Sequence, residues 1–284
     1  MFKKLSLSLL ASAMLVLPVL PVSSFAANTQ ETVINGQLLN NRVLIPLRTV
    51  SEHLGASVGW YQYEKLVSID KGDARIFLAA NFKRALVYDL PIDQSTVKYI
   101  EMDVPVQVIQ GTTYVPLKFV GQSLGANIAW NQQSKQATIA VDGKKIVVNR
   151  EQPSITAPSS QQITDARLTL LSQKLNEAVS GSSIKSLTTR FKPFFTEKLI
   201  RSISQDKVEH STKHEAPITS IEYTSKTTAT LSQSVIIANG LTAEDQYVED
   251  RTAQLVYTGG VWKVDRVNYT TRVIPAGFGR YNPS

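Results

Sequence analysis

Ile45-Pro46-Leu47-Arg48-Thr49-Val50-Ser51-Glu52-His53-Leu54-Gly55-Ala56-Ser57-Val58-Gly59-Trp60 returns 70 residues later as Val115-Pro116-Leu117-Lys118-Phe119-Val120-Gly121-Gln122-Ser123-Leu124-Gly125-Ala126-Asn127-Ile128-Ala129-Trp130. A unit that recurs at a fixed period is a recurring structural solution. In each copy a short β-branched stretch (Val43–Ile45; Tyr114–Val115) leads to a proline. That proline suits the first helical position, where its missing N–H costs nothing. Leu47, Val50 and Leu54 then share one helical face, as do Leu117, Val120 and Leu124. Gly55 and Gly125 supply the left-handed cap. Alternation follows in Ala56, Val58, Trp60 and in Ala126, Ile128, Trp130, then a polar turn and a second strand (Leu66–Ile69; Gln136–Val141). Each unit therefore reads as strand, short helix, β-hairpin. A helix of about nine residues is marginal by itself, so the hairpin must cover its apolar face. What repeats is apolar and backbone-shaping, which suits a scaffold.

Outward from the repeats, Arg75–Ala80, Ala85–Leu90 and Val104–Ile109 read as strands, and Asp142-Gly143 as a hairpin turn before Ile146–Val148. The expected N-terminal domain is 28–149, with repeats at 33–72 and 106–143. The stretch 150–162 holds Pro153, Pro158 and several Ser and Gln residues and reads as a linker. Beyond it, Leu168, Leu171, Leu175 and Val179 share a helical face that Gly181 ends. Further helices are expected around Ile184–Phe191 and Phe195–Ile203. Strands follow at Ile218–Tyr223, Thr227–Ala238, Arg251–Tyr257 and Val261–Tyr269, the last two joined at Gly259-Gly260. Helices then antiparallel strands make an α+β order over 163–272, with 273–284 as a flexible tail. Residues 215–250 carry six acids and one lysine, and 251–284 five bases and one acid, which predicts facing strands or loops.

The first 26 residues have the pattern of a signal peptide: Lys3 and Lys4, an apolar run from Leu5 to Leu20, and Ser24-Phe25-Ala26 before the cut. The expected location is therefore secreted and extracellular, in association with the cell wall. No later stretch is long enough to span a bilayer. There is no cysteine, which removes thiol nucleophiles, thiolate metal sites and redox motifs. The net charge is +7, but bases and acids are mixed along both halves. A nucleic-acid binder concentrates its basic residues, so a cell-wall polymer or another envelope protein is the expected partner.

The Pro-Leu-Arg/Lys, Leu-Gly-Ala and Trp landmarks, recurring in order over 33–148, resemble the copper amine oxidase N-terminal, or stalk, domain. That resemblance implies an α+β module outside the catalytic part, in secreted proteins of Gram-positive bacteria. It implies neither copper nor amine oxidation. The C-terminal order, ending in Tyr257-Thr258-Gly259-Gly260-Val261-Trp262-Lys263-Val264, is similar to an NTF2-like domain. That implies a curved antiparallel sheet folded over a cavity.

The residues do not assemble a recognisable reaction centre. Asn268-Tyr269 is followed by Thr270 where a quinone-forming tyrosine has an acid, and no His-x-His occurs. His210 and His214 have helical i, i+4 spacing, but Ser211 replaces the zincin glutamate, and a polar connector is the simpler reading. Glu244, Asp245, Glu249 and Asp250 read as a solvated hairpin loop. There is no Gly-x-Ser-x-Gly, Gly-x-x-x-x-Gly-Lys or Gly-x-Gly-x-x-Gly. Trp60 and Trp130 stand at equivalent positions. Exposed, they would stack on sugar rings; buried, they would fill the core, and their phase with Val58 and Ile128 favours the core. Tyr223, Tyr257, Trp262 and Tyr269 are the candidates for lining a C-terminal cavity. The expectation is a non-catalytic binding or structural protein with no cofactor. A small-molecule binder or enzyme using the C-terminal cavity, and a wall-glycan binder using Trp60 and Trp130, remain open.

Overall fold

In a computed structural model, the duplicated strand pairs with its own copy. Arg42–Pro46 (β2) and Thr112–Pro116 (β9) run antiparallel, with Ile45 opposite Val115, Leu44 opposite Pro116 and Pro46 opposite Tyr114. Of these pairs Ile45 and Val115 are repeat equivalents, and their neighbours pair crosswise, which centres a local twofold axis normal to the sheet on this pair. The structure describes residues 31–39, 42–92, 97–151, 161–178, 184–205, 213–214, 220–240 and 245–278. The expected leader 1–26, most of the linker, Gly181, His210, Glu244 and the end of the tail lie outside the described residues.

Each repeat folds as its pattern predicts. After β2 come α1 (Leu47–His53) and the hairpin β3 (Ser57–Tyr61) and β4 (Leu66–Lys71). After β9 come α2 (Leu117–Leu124) and the hairpin β10 (Asn127–Asn131) and β11 (Gln136–Val141). Pro46 and Pro116 occupy the cap, one residue before the expected position. Gly55 and Gly125 have φ of 82° and 67°, the left-handed conformation expected after each helix. Lys65 and Lys135 (φ 48° and 54°) occupy matching hairpin positions, and Asp142-Gly143 (φ 48° and 75°) makes the tight turn before β12 (Lys144–Glu151).

The halves differ in how they close. Glu31–Leu39 (β1) pairs in parallel with β12, which gives a seven-stranded sheet in the order β10-β11-β12-β1-β2-β9-β8, with β8 at Gln107–Ile109. In the first repeat the hairpin continues into β5 (Ala74–Ala79), β6 (Arg84–Asp89) and β7 (Lys98–Glu101), a five-stranded sheet β3-β4-β5-β6-β7. The bonds from Asn81 N–H to the Val106 carbonyl (2.9 Å) and from Val106 N–H to the Phe82 carbonyl (3.0 Å) are the short counterpart of the β1–β12 pairing. One apolar core, from Ile45, Leu47 and Val50 to Val115, Phe119 and Val120, fills the space between the helices and both sheets.

The C-terminal region has α3 (Asp165–Ala178), α4 (Ile184–Phe191) and α5 (Glu197–Ser204), then an antiparallel meander of β13 (Ser220–Tyr223), β14 (Thr228–Asn239), β15 (Asp245–Thr258) and β16 (Val261–Pro275). The expected α+β class thus holds, with strands in excess of helices. On one face of the meander Leu231, Ala253, Leu255 and Val264 pack against Leu168, Leu171 and Leu175 of α3 and Leu199 and Ile200 of α5.

The opposite face docks on the first repeat. Ile236, Val248, Ile274 and Phe278 share a core with Leu66, Ala79, Leu86 and Tyr88. The repeat explains why docking occurs on this half. Leu66, Phe77 and Ala79 line the outer face of the first hairpin unit, and register places Gln136, Val147 and Asn149 at the matching positions of the second. There, Gln136 and Asn149 bond each other at 2.7 Å instead. Two expectations change. Glu249 and Asp250 are not loop residues but lie buried within β15, because a cation faces Asp250. The stretch 273–278 is not a flexible tail, because Ile274 and Phe278 are in the shared core.

Candidate functional site

Three groups of polar and aromatic side chains stand out among the described residues, and the third lines a cleft. The first joins the two regions. Asp250, 3% exposed, accepts from Arg272 Nε at 2.9 Å, Lys65 Nζ at 2.9 Å and Ser234 Oγ at 2.5 Å. Arg272 also donates to the Glu64 and Ala80 carbonyls of the first repeat (2.5 and 2.9 Å), and Asn81 donates to Ser234. Burial works against ionisation of Asp250, but Arg272, then Ser234 and Lys65, hold its carboxyl below the usual carboxylate range. Every donor is engaged in packing, so this group is a fastening.

The second lies between α3 and the meander. Arg251, 1% exposed, is caged by neutral acceptors: Gln233 Oε1 at 2.5 and 3.0 Å, Asn176 Oδ1 at 2.7 Å and Ser172 Oγ at 2.6 Å. Burial pulls the Arg251 pKa down, and burial pushes the Tyr269 hydroxyl up, offset in part by the Arg251 charge. His214 is also buried, with Nε2 at 3.9 Å from Glu249 Oε1 and its ring 5.9 Å from that of Tyr269. The four aromatics named from the sequence do not converge. Tyr223 and Tyr257 pack on Trp262 (centroids 5.8 and 5.6 Å apart) inside the helix-facing core, whereas Tyr269 belongs with Arg251. Arg251 itself is missed by motif reading. Its signal is phase, since it shares the inward side of β15 with Ala253 and Leu255.

The third is a cleft of about 310 Å³ between α1, β3 and the β8–β9 turn. Pro46, Leu47, Arg48 and Thr49 form one wall, Val58, Gly59 and Trp60 a second, and Gly111, Thr112 and Thr113 close it from the other repeat. Strand β3 is an edge strand, so Trp60 faces inward yet is only partly covered. Its indole Nε1–H donates to Gln62 Oε1 at 2.6 Å, which tethers the ring. Arg48 Nη1 donates to the Val58 carbonyl (3.0 Å) and to Glu52 (3.3 Å), which holds a cation beside the indole. Trp130 lies on edge strand β10 and is 45% exposed, so the core assignment fails for it: the phase was right, but no further strand covers the edge. Its Nε1–H donates to Gln132 Oε1 at 2.7 Å. The Trp-x-Gln pairing was visible in both repeats, as Trp60-Tyr61-Gln62 and Trp130-Asn131-Gln132. A half-covered aromatic ring with threonine hydroxyls, backbone groups and a guanidinium is equipped to bind a small polar ring compound.

The described residues do not fit a copper centre. His53 is on α1 beside Thr32 (3.4 Å), His214 is in the C-terminal region, and among the described residues no three His, Asp or Glu side chains gather as a metal site. Also among the described residues, no helix is long and apolar enough to cross a membrane. A comparison with curated proteins gives no match. The family model for the copper amine oxidase N-terminal domain matches residues 26–139 and again 92–173, a span of just over half the chain that takes in both repeats. The chain therefore belongs to the family of proteins that carry the copper amine oxidase N-terminal domain.

Proposed function

We propose that this is an exported, non-catalytic protein of the cell envelope whose stalk-type repeat domain binds a wall glycan at the Trp60 cleft. The observation that carries this is the cleft itself. A tethered indole, a fixed guanidinium and three threonines converge on a space the size of one or two sugar rings. Pyranose rings present C–H groups to an aromatic face and hydroxyls to flanking donors and acceptors, and the cleft offers both. The leader-like first 26 residues and the absence of cysteine support export to a wall-exposed location. The test is retention of the purified protein on bacterial wall sacculi. Trp60→Ala is expected to lower retention at least tenfold with the fold intact, and equal retention by this variant would refute the assignment.

A further inference from the structure

The local twofold axis that exchanges β2 and β9 relates the places of Trp60 and Trp130 in the two repeats. Ile45 and Val115 lie opposite one another on that axis, and both helices pack on the same core beside them. The axis is normal to the sheet, so the two indoles stand on the same, helix-bearing side of it. Much else has diverged between the copies: Thr49 becomes Phe119, Glu52 becomes Gln122 and His53 becomes Ser123. Three features persist. Each copy keeps the tryptophan, its glutamine tether (2.6 and 2.7 Å) and a cation four places after the matching leucine or tyrosine (Arg48 after Leu44; Lys118 after Tyr114). Packing accounts for a buried indole. It does not account for Trp130, which leaves 45% of its surface in water on a strand whose five residues are all exposed.

We propose that Trp130, Gln132 and Lys118 form a second saccharide subsite, so that the repeat domain grips one polysaccharide strand at two points. This rests on the reading of the Trp60 cleft above. The ligand class is a glycan bearing carboxylate groups, because Arg48 lines the Trp60 cleft, Lys118 occupies the matching place on α2, and the chain has a net charge of +7, or +5 without Lys3 and Lys4 of the leader. The Trp60 cleft, walled on three sides, holds a ring. The open Trp130 platform adds a second contact along the same strand. Two tethered contacts raise avidity for a polymer without raising affinity for a short fragment.

The experiment compares polymer with fragment. Full-length protein lacking the leader is titrated with wall sacculi and with the disaccharide of N-acetylglucosamine and N-acetylmuramic acid. Trp130→Ala is expected to weaken retention on sacculi about 10- to 100-fold while leaving disaccharide binding within about twofold. Trp130→Phe should restore most of the retention. Trp60→Ala should weaken both, and the double variant should abolish both. Retention of Trp130→Ala at the original strength, with Trp60→Ala impaired, overturns the second subsite and leaves the first in place. Loss in Trp130→Ala accompanied by a lowered melting temperature and no rescue by phenylalanine also overturns it, as a packing effect. No binding by the unmodified protein overturns both proposals. Sacculi stripped of phosphate-rich polymers should bind equally well, and loss on stripping overturns the carboxylate-glycan assignment.

Discussion

Lys65, in the hairpin turn of the first repeat, bonds Asp250 in the C-terminal meander at 2.9 Å. Its counterpart Lys135 has the same left-handed backbone and projects from an exposed turn. One residue type at one repeated position thus fastens the regions together in one copy and meets solvent in the other. Docking is a property of the first repeat alone.

Asp250 is the critical member of that fastening. Removing it by Asp250→Ala leaves Arg272 buried and without its carboxylate, which costs about 3–5 kcal/mol. Lys65 is 41% exposed at its side chain, so Lys65→Ala should cost about 1 kcal/mol or less. Chemical denaturation of both variants checks the ordering.

The same carboxylate sets an acid limit. Its pKa is lowered in the folded chain, so its contribution is fully present above the ordinary carboxylate value of about 3.9. It is lost as the pH falls below that value and through the folded-state pKa. Stability measured from pH 6 downward should fall below about pH 4, and Asp250→Asn should flatten that part of the profile.

Exchanging residues between the repeats tests why only one of them docks. Leu66→Gln places the second repeat's residue in the shared core and should cost at least about 1.5–3 kcal/mol from lost burial. It should also split one unfolding transition into two. Gln136→Leu, on the undocked face, should leave the transition nearly unmoved. Scanning calorimetry distinguishes the two.

Arg251 should tolerate neither loss nor conservative change. Arg251→Ala removes the donor that Gln233, Asn176 and Ser172 share and should cost about 1–3 kcal/mol for the buried acceptors it leaves under-satisfied. Arg251→Lys should recover little, because one ammonium cannot span acceptors arranged for a planar fork. Thermal melts followed by circular dichroism provide the comparison.

Much of this was legible in the local pattern, because helix faces, glycine caps and Asp142-Gly143 each act within a few residues. The strand–helix–hairpin units follow directly from Pro46 to Trp60 and from Pro116 to Trp130. What was hidden depends on partners far away in the chain. The parallel pairing of Glu31 to Gln37 with Lys145 to Glu151 leaves no local mark. Glu249 and Asp250 look like loop acids until Arg251 and Arg272 are brought beside them. The Trp60 and Trp130 side chains have core phase, and only their place on edge strands reveals that they are partly open.

The most direct measurement is the behaviour of the three indole N–H resonances as a soluble wall disaccharide and longer glycan fragments are added. Trp262 is 4% exposed and donates to the Gln161 carbonyl at 2.6 Å, so it serves as the internal control. The account predicts that Trp60 shifts with the disaccharide, that Trp130 joins it with longer fragments, and that Trp262 stays still. An unmoved Trp60 signal at saturating glycan would contradict it.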